Sequence, residues 1–414
     1  MRTSKPLALF TGAIAALLLA GASGPGAAET APGHGISDGV VKIGLILDMS
    51  GPYSEVTGAG SAAAAKMAVE DFGGRVLGAP IEVLVADHGN DPDRALSIAR
   101  DWIDNQHLDA IMDVSGTSEA LLVQRFADVR HKIVVLNAPQ AARLSNESCT
   151  ATAIHYVSNT QSSANTVGAG LMRQGANTWF FITVDYSFGY DLERDTMAVV
   201  EARGGKVLGR ARHPLSTHDF RSYLARAQES KAKVIALANG GENLEDTIRQ
   251  AYKLGMIPGP QIFAGLALRI TGVNSLTLNT TQGMMLAESF YWDTDEATRS
   301  WSRRFFERVK LMPNSLQAGV YSSTTHYLRA IAAAGSDDTD AVLGKMRETP
   351  VDDFFAHGAR IRADGVLVHD INLFQVKAPF ESNYPWDYLK LVATIPGSEA
   401  FGSLKDSKCP LVKQ

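Results

Sequence analysis

The chain has 414 residues, 45% of them apolar and 20% charged, which is enough to bury a large core divided between two lobes. Its formal net charge is -5 and it has no long Lys or Arg run, so it lacks the broad basic field that nucleic-acid binding requires. No nucleic-acid partner is expected.

The first thirty residues read as an export signal. Arg2 and Lys5 make a charged start, Leu7 to Ala20 an apolar stretch, and Gly26-Ala27-Ala28 offers small residues for cleavage, so the mature chain is expected to begin near Glu29. Gly12 interrupts the apolar stretch, which is shorter than the roughly 20 residues of a membrane span. With no Cys just after it for a lipid anchor, a soluble periplasmic protein is expected. The two cysteines, Cys149 and Cys409, both survive cleavage, and in an oxidising compartment such a pair is expected to be bridged. Two cysteines without clustered histidines make no zinc site, and no metal or other cofactor is expected.

The mature chain opens on VKIGLILDMSGPYS, Val41 to Ser54. The run Ile43 to Leu47 lacks apolar/polar alternation, as in a strand of a parallel sheet buried on both faces, and Gly51-Pro52 ends it. In open α/β sheets ligands gather beyond the carboxyl ends of strands, which puts Asp48 to Ser54 beside a site. Strand and helix then alternate. Ser61 to Phe72 places Ala65, Ala68, Val69 and Phe72 on one helical face, and Ile81 to Ala86 is a second strand. A helix over Asp93 to Asn105 and a strand over Ala110 to Val114 lead to the hydroxyl-rich turn Ser115-Gly116-Thr117-Ser118. The helix Glu119 to Arg130 is expected to bury Leu122, Phe126 and Val129, before a strand at Ile133 to Leu136 and a loop at Asn137 to Arg143. The pattern restarts with a strand at Trp179 to Val184 and continues through Val234 to Ala238 and Gln261 to Gly265. Two strongly helical stretches, Glu296 to Val309 and Gln317 to Ala334, follow a strand near Gly283 to Phe290. The fold class is α/β, with parallel sheets covered by helices on both faces.

Gly58-Ala59-Gly60-Ser61-Ala62-Ala63 fits the dinucleotide fingerprint in letters but not in position. That fingerprint must leave its strand at once so that the helix N-terminus meets the pyrophosphate, and here Asp48 to Thr57 intervene. No nucleophile elbow, zinc-protease motif or P-loop is present, and the ten histidines are scattered, so the chain is not expected to be an enzyme.

The export signal, VKIGLILDMSGPYS, the Gly58-x-Gly60 lead into an Ala-rich helix, DHGNDPDRAL from Asp87 and VDYSFGYDL from Val184 together resemble the type I periplasmic binding proteins of ABC transporters, Leu/Ile/Val-binding branch. The resemblance covers essentially the whole mature chain. It implies two Rossmann-like lobes joined by three crossovers that close on a small ligand, with residues 39–158 and 286–368 in the first lobe, 159–285 and 369–396 in the second, and a tail over 397–414. A monomer that delivers its ligand to a permease and ATPase complex is expected. A sensor subunit feeding a membrane receptor and an exported enzyme are the alternatives.

Carried over by position, the resemblance implies that Ser115, Gly116, Thr117 and Ser118 hold a ligand carboxylate. It adds Asn137, Gln140 and Ala141 from the following loop, and Phe188 and Tyr53 as covers from the two lobes. Asn239 and Ala267 complete the expected contacts. Amino-acid binders of this branch carry an acid for the ligand ammonium where this chain has Phe263-Ala264-Gly265-Leu266-Ala267-Leu268, so Asp185 or Glu242 takes that role or the ligand has no ammonium. Arg143 is a candidate partner for an anion. A small organic acid, apolar and aromatic in body, is expected over an α-amino acid.

Overall fold

The computed structural model describes residues 35–413, and the expected export signal lies outside them. Strands β1 (Val41–Leu47), β2 (Arg75–Val76), β3 (Ala79–Asp87), β4 (Ala110–Val114), β5 (Ile133–Leu136) and β6 (Ala153–His155) form the sheet of the first lobe in the order β2-β3-β1-β4-β5-β6. All neighbours run parallel except the β2–β3 hairpin. β1 pairs with strands on both sides, and its apolar residues are fully buried, which is why it reads as an unbroken apolar run.

The second lobe contains β7 (Thr178–Val184), β8 (Lys206–His213), β9 (Val234–Ala238), β10 (Ile262–Gly265) and β11 (Met285–Glu288) in parallel. The chain then returns to the first lobe, where the helix Ser315–Ala334 packs on the helix Gly58–Asp71. After the short hairpin of β12 (Arg360–Ile361) and β13 (Leu367–Val368), strands β14 (Ile371–Val376) and β15 (Leu389–Ile395) join β11 antiparallel, giving the order β15-β14-β11-β10-β9-β7-β8. Three passages therefore connect the lobes: β6 to Asn159, β11 to Asp295, and β13 to β14. Cys149, between β5 and β6, is bonded to Cys409 of the tail with a Cα–Cα distance of 5.6 Å.

One helix presents a face other than the expected one. Thr117–Val129 buries Ala120, Val123 and Ala127 against the sheet, while Leu122 is 38% and Val129 73% exposed. Both stripes have helical spacing, and the one with two alanines lets the helix backbone approach the strands more closely.

Candidate functional site

The lobes meet around a partly open cavity lined by residues of both. The local structure gives this cavity its polarity. Five of its lining residues, Thr57, Gly116, Tyr186, Gly240 and Arg269, each immediately precede a helix: Gly58–Asp71, Thr117–Val129, Ser187–Ala202, Gly241–Lys253 and Ile270–Leu276. None of the five is capped by the side chain of the residue before it, whereas those starting at Pro92, Glu296 and Thr339 are capped by Asp91, Asp295 and Asp338; in two of the five a first-turn N–H is already taken, that of Glu242 by Pro52 O and that of Ile270 by the Glu288 carboxylate. Uncapped first-turn N–H groups carry the positive end of the helix dipole, so the cavity is built to receive negative charge.

Arg269 adds a full positive charge. It lines the cavity yet is only 4% exposed, and its Nη1 donates to Ala287 O at 2.9 Å and to Glu288 Oε2 at 3.4 Å. Neither Nε nor Nη2 has a hydrogen-bond partner among the described residues. No Asp or Glu lines the cavity. One buried acid, Glu119, stands behind Gly116, and burial pushes its carboxyl up to about 7. It is also why position 116 is glycine: φ there is 85°, and a Cβ would collide with the Glu119 carboxylate.

The lobes are closed on each other. Tyr53 OH of the first meets Tyr186 OH of the second at 2.8 Å, Ser118 Oγ meets Ser187 Oγ at 3.1 Å, and Glu242 N donates to Pro52 O at 3.3 Å. Burial raises both phenols above their ordinary range, so they remain neutral donors. Ser115 Oγ donates to Thr57 Oγ1 at 3.0 Å, joining the hydroxyl-rich turn to the β1 loop.

Of the residues singled out in the sequence, Tyr53, Ser115, Gly116, Thr117, Gln140, Phe188 and Ala267 line the cavity. Ser118 instead contacts Ser187 across the cleft. Asn137 is buried, donating from Nδ2 to Met112 O and Ser323 Oγ. Its N–H and that of Ala138 bond to the buried Asp113 carboxylate, which shapes the loop that presents Gln140. Ala141 is buried beneath that loop, against the first-lobe core. Asp185 is exposed and accepts from Tyr190 OH, while Asn239 bonds to Thr247 and His213 in the interior. Glu242 is exposed, and Arg143 is paired with Asp191 at 2.5 Å. Arg269, Tyr186 and Leu316 line the cavity without having been singled out. For Arg269 the available signal is a lone charge within LALRITGV, a stretch otherwise apolar enough to be core.

A family model described as periplasmic binding protein matches residues 40–382. A periplasmic binding protein from Burkholderia mallei is 46% identical, with a TM-score of 0.88, over 91% of this chain and 100% of that one. A branched chain amino acid ABC transporter periplasmic ligand-binding protein from Burkholderia xenovorans is 35% identical, with a TM-score of 0.82, over 90% and 99% of the two chains. A solute binding protein of an ABC transporter from Rhodopseudomonas palustris, solved with 3,4-dihydroxy benzoic acid, shares the fold at 18% identity, with a TM-score of 0.79 over 90% and 99%. No curated protein matches the chain. The chain belongs to the periplasmic binding protein family, as a two-lobed solute-binding protein of the ABC transporter type and not an enzyme.

Proposed function

We propose that this protein captures a small carboxylate with an apolar, aromatic-sized body and presents it, closed between the lobes, to an ABC permease. The observation that carries this reading is the convergence of Arg269 and the helix N-termini at Gly58, Thr117 and Ser187 on a cavity with no acid among its described lining residues. An anion there gains the helix dipoles and two charge-assisted N–H donors, while Val56, Phe188, Ala267 and Leu316 offer apolar walls. Isothermal calorimetry against benzoate, 4-hydroxybenzoate, isovalerate and leucine tests it. Tight binding of one of the three simple acids, and weaker binding of leucine, is expected, and the reverse order sinks the reading.

A second reading, an α-amino acid, is favoured by Glu119 and by the 35% identical relative described as a branched chain amino acid binder. A charged carboxylate behind Gly116 suits an ammonium and repels an anion. The pH profile separates the two. The Glu119 carboxyl lies near 7, raised from the ordinary value of 4.5, so it is neutral below pH 7 and charged above. A simple carboxylate is therefore expected to bind several-fold more weakly at pH 8 than at pH 6, with E119Q flattening the profile. An affinity that rises with pH and loses its slope in E119Q identifies an ammonium ligand instead.

A further inference from the structure

Glu288, the last residue of β11, is buried, and one oxygen of its carboxylate is contacted by a side chain from each lobe. On the second-lobe side, Oε2 accepts from Arg269 Nη1 at 3.4 Å, and the carboxylate also faces the backbone N–H of Ile270, the first residue of the helix that Arg269 precedes. On the first-lobe side, Ser315 Oγ donates to the same Oε2, and the Ser315 N–H faces the carboxylate as well. Ser315 begins the helix whose next residue, Leu316, lines the cavity, and whose cap, Asn314, donates from Nδ2 to Val56 O at 3.0 Å. One carboxylate thus sits at the start of a helix from each lobe and holds the only Arg among the cavity-lining residues.

A carboxylate in such a place is costly to leave unpaired, so it is tolerated only where its partners are well placed. Glu288 has those partners on one oxygen, and its Oε1 has none among the described residues. A side chain held from one oxygen is sensitive to a shift of either lobe. An arginine presented from one face, with Nε and Nη2 left for a ligand, takes its aim from the group behind it.

We propose that Glu288 is the positioning residue of the binding site: by bridging Arg269 and Ser315 it aims the Arg269 guanidinium at the ligand and makes that aim depend on the first lobe being docked. This rests on the reading that Arg269 holds a ligand carboxylate. The consequence is that selection for a carboxylate over its neutral amide is completed by closure rather than being present on the second lobe alone.

The experiment measures by calorimetry the ratio of the dissociation constant of the primary amide to that of the acid, for whichever of benzoate, 4-hydroxybenzoate and isovalerate binds most tightly. E288D keeps the charge but withdraws it by one methylene, which separates position from charge. It is expected to lower the ratio about tenfold where Arg269 is present and less than twofold in the R269M background, the pattern of a residue that acts through another. S315A removes only the hydroxyl from the first lobe and is expected to lower the ratio about threefold; where E288D cannot be purified, an unchanged ratio in S315A overturns the proposal. An unchanged ratio in E288D, or an equal fall in both backgrounds, overturns it while leaving the Arg269 reading intact. A ratio that R269M alone leaves unchanged removes the Arg269 reading, and the role of Glu288 with it.

Discussion

Replacing Arg269 with methionine is expected to raise the dissociation constant for the tightest-binding carboxylate by about two to four orders of magnitude, since two charge-assisted hydrogen bonds contribute about 1.5 to 3 kcal/mol each. Methionine fills much of the same volume, so the loss reports the charge rather than a cavity. The substitution also strands Glu288, whose carboxyl burial already raises above its ordinary range. Removing one partner of a buried ion pair costs about 3 to 5 kcal/mol, and thermal denaturation is expected to show a lowered midpoint. The sign with pH follows from the raised pKa: the stranded Glu288 is tolerated as the neutral acid at low pH and opposes folding increasingly as pH rises and it must ionise. Adding E288Q to R269M removes that charge and is expected to recover part of the stability but none of the binding. A variant that binds carboxylates as the parent does would place the anion site elsewhere in the cleft.

Gly241 to alanine is expected to weaken ligand binding beyond its effect on folding. Gly241 lies at the second-lobe rim with φ 54°, and a Cβ there would overlap the carbonyl oxygen of Pro52 on the first lobe. The left-handed conformation penalises alanine in the open and closed forms alike, but the overlap exists only when the lobes meet. Overpacking of this kind costs about 1 to 3 kcal/mol, so affinity is expected to fall roughly 5- to 150-fold, on top of a loss of about 1 to 2 kcal/mol in ligand-free stability from the left-handed backbone. Small-angle scattering gives the complementary measurement. The parent should contract on saturation with its ligand and G241A should contract less, and full contraction of G241A with unchanged affinity would show that the rim does not limit closure.

Much of the fold was legible because burial leaves a plain mark on composition. β1 lies between β3 and β4 and is apolar on both faces, so its run of Ile and Leu could be read without any neighbour in view. The turn from Ser115 to Ser118 was legible as a strand end from its glycine and small hydroxyl residues, while its place at the cleft came from the family resemblance, and Ser115, Gly116 and Thr117 do line the cavity. The helix after it was read on the wrong stripe because Leu122 and Val129 share the spacing of Ala120 and Ala127, and only the close approach to the sheet chooses between them. Arg269 was not legible. Its partner Glu288 lies on another element, and nothing in the local spacing joins them until β10 and β11 pair side by side. The missing caps were equally hard to see, because Thr57 is a residue that commonly caps a helix, yet its hydroxyl donates to Tyr53 O instead.

The bond between Cys149 and Cys409 closes a covalent ring that contains the whole second-lobe sheet, from Thr178 in β7 to Ile395 in β15. The ring also encloses the return to the first lobe through Ser315–Ala334, so each of the two segments of the second lobe is continuous with the first lobe at both ends. A protease that cuts a surface loop of the second lobe leaves two pieces still joined through sulfur, so a nicked molecule keeps both halves of its cleft at an effective concentration that separate fragments would not reach. Damage in the second lobe becomes visible as lost mass only after reduction.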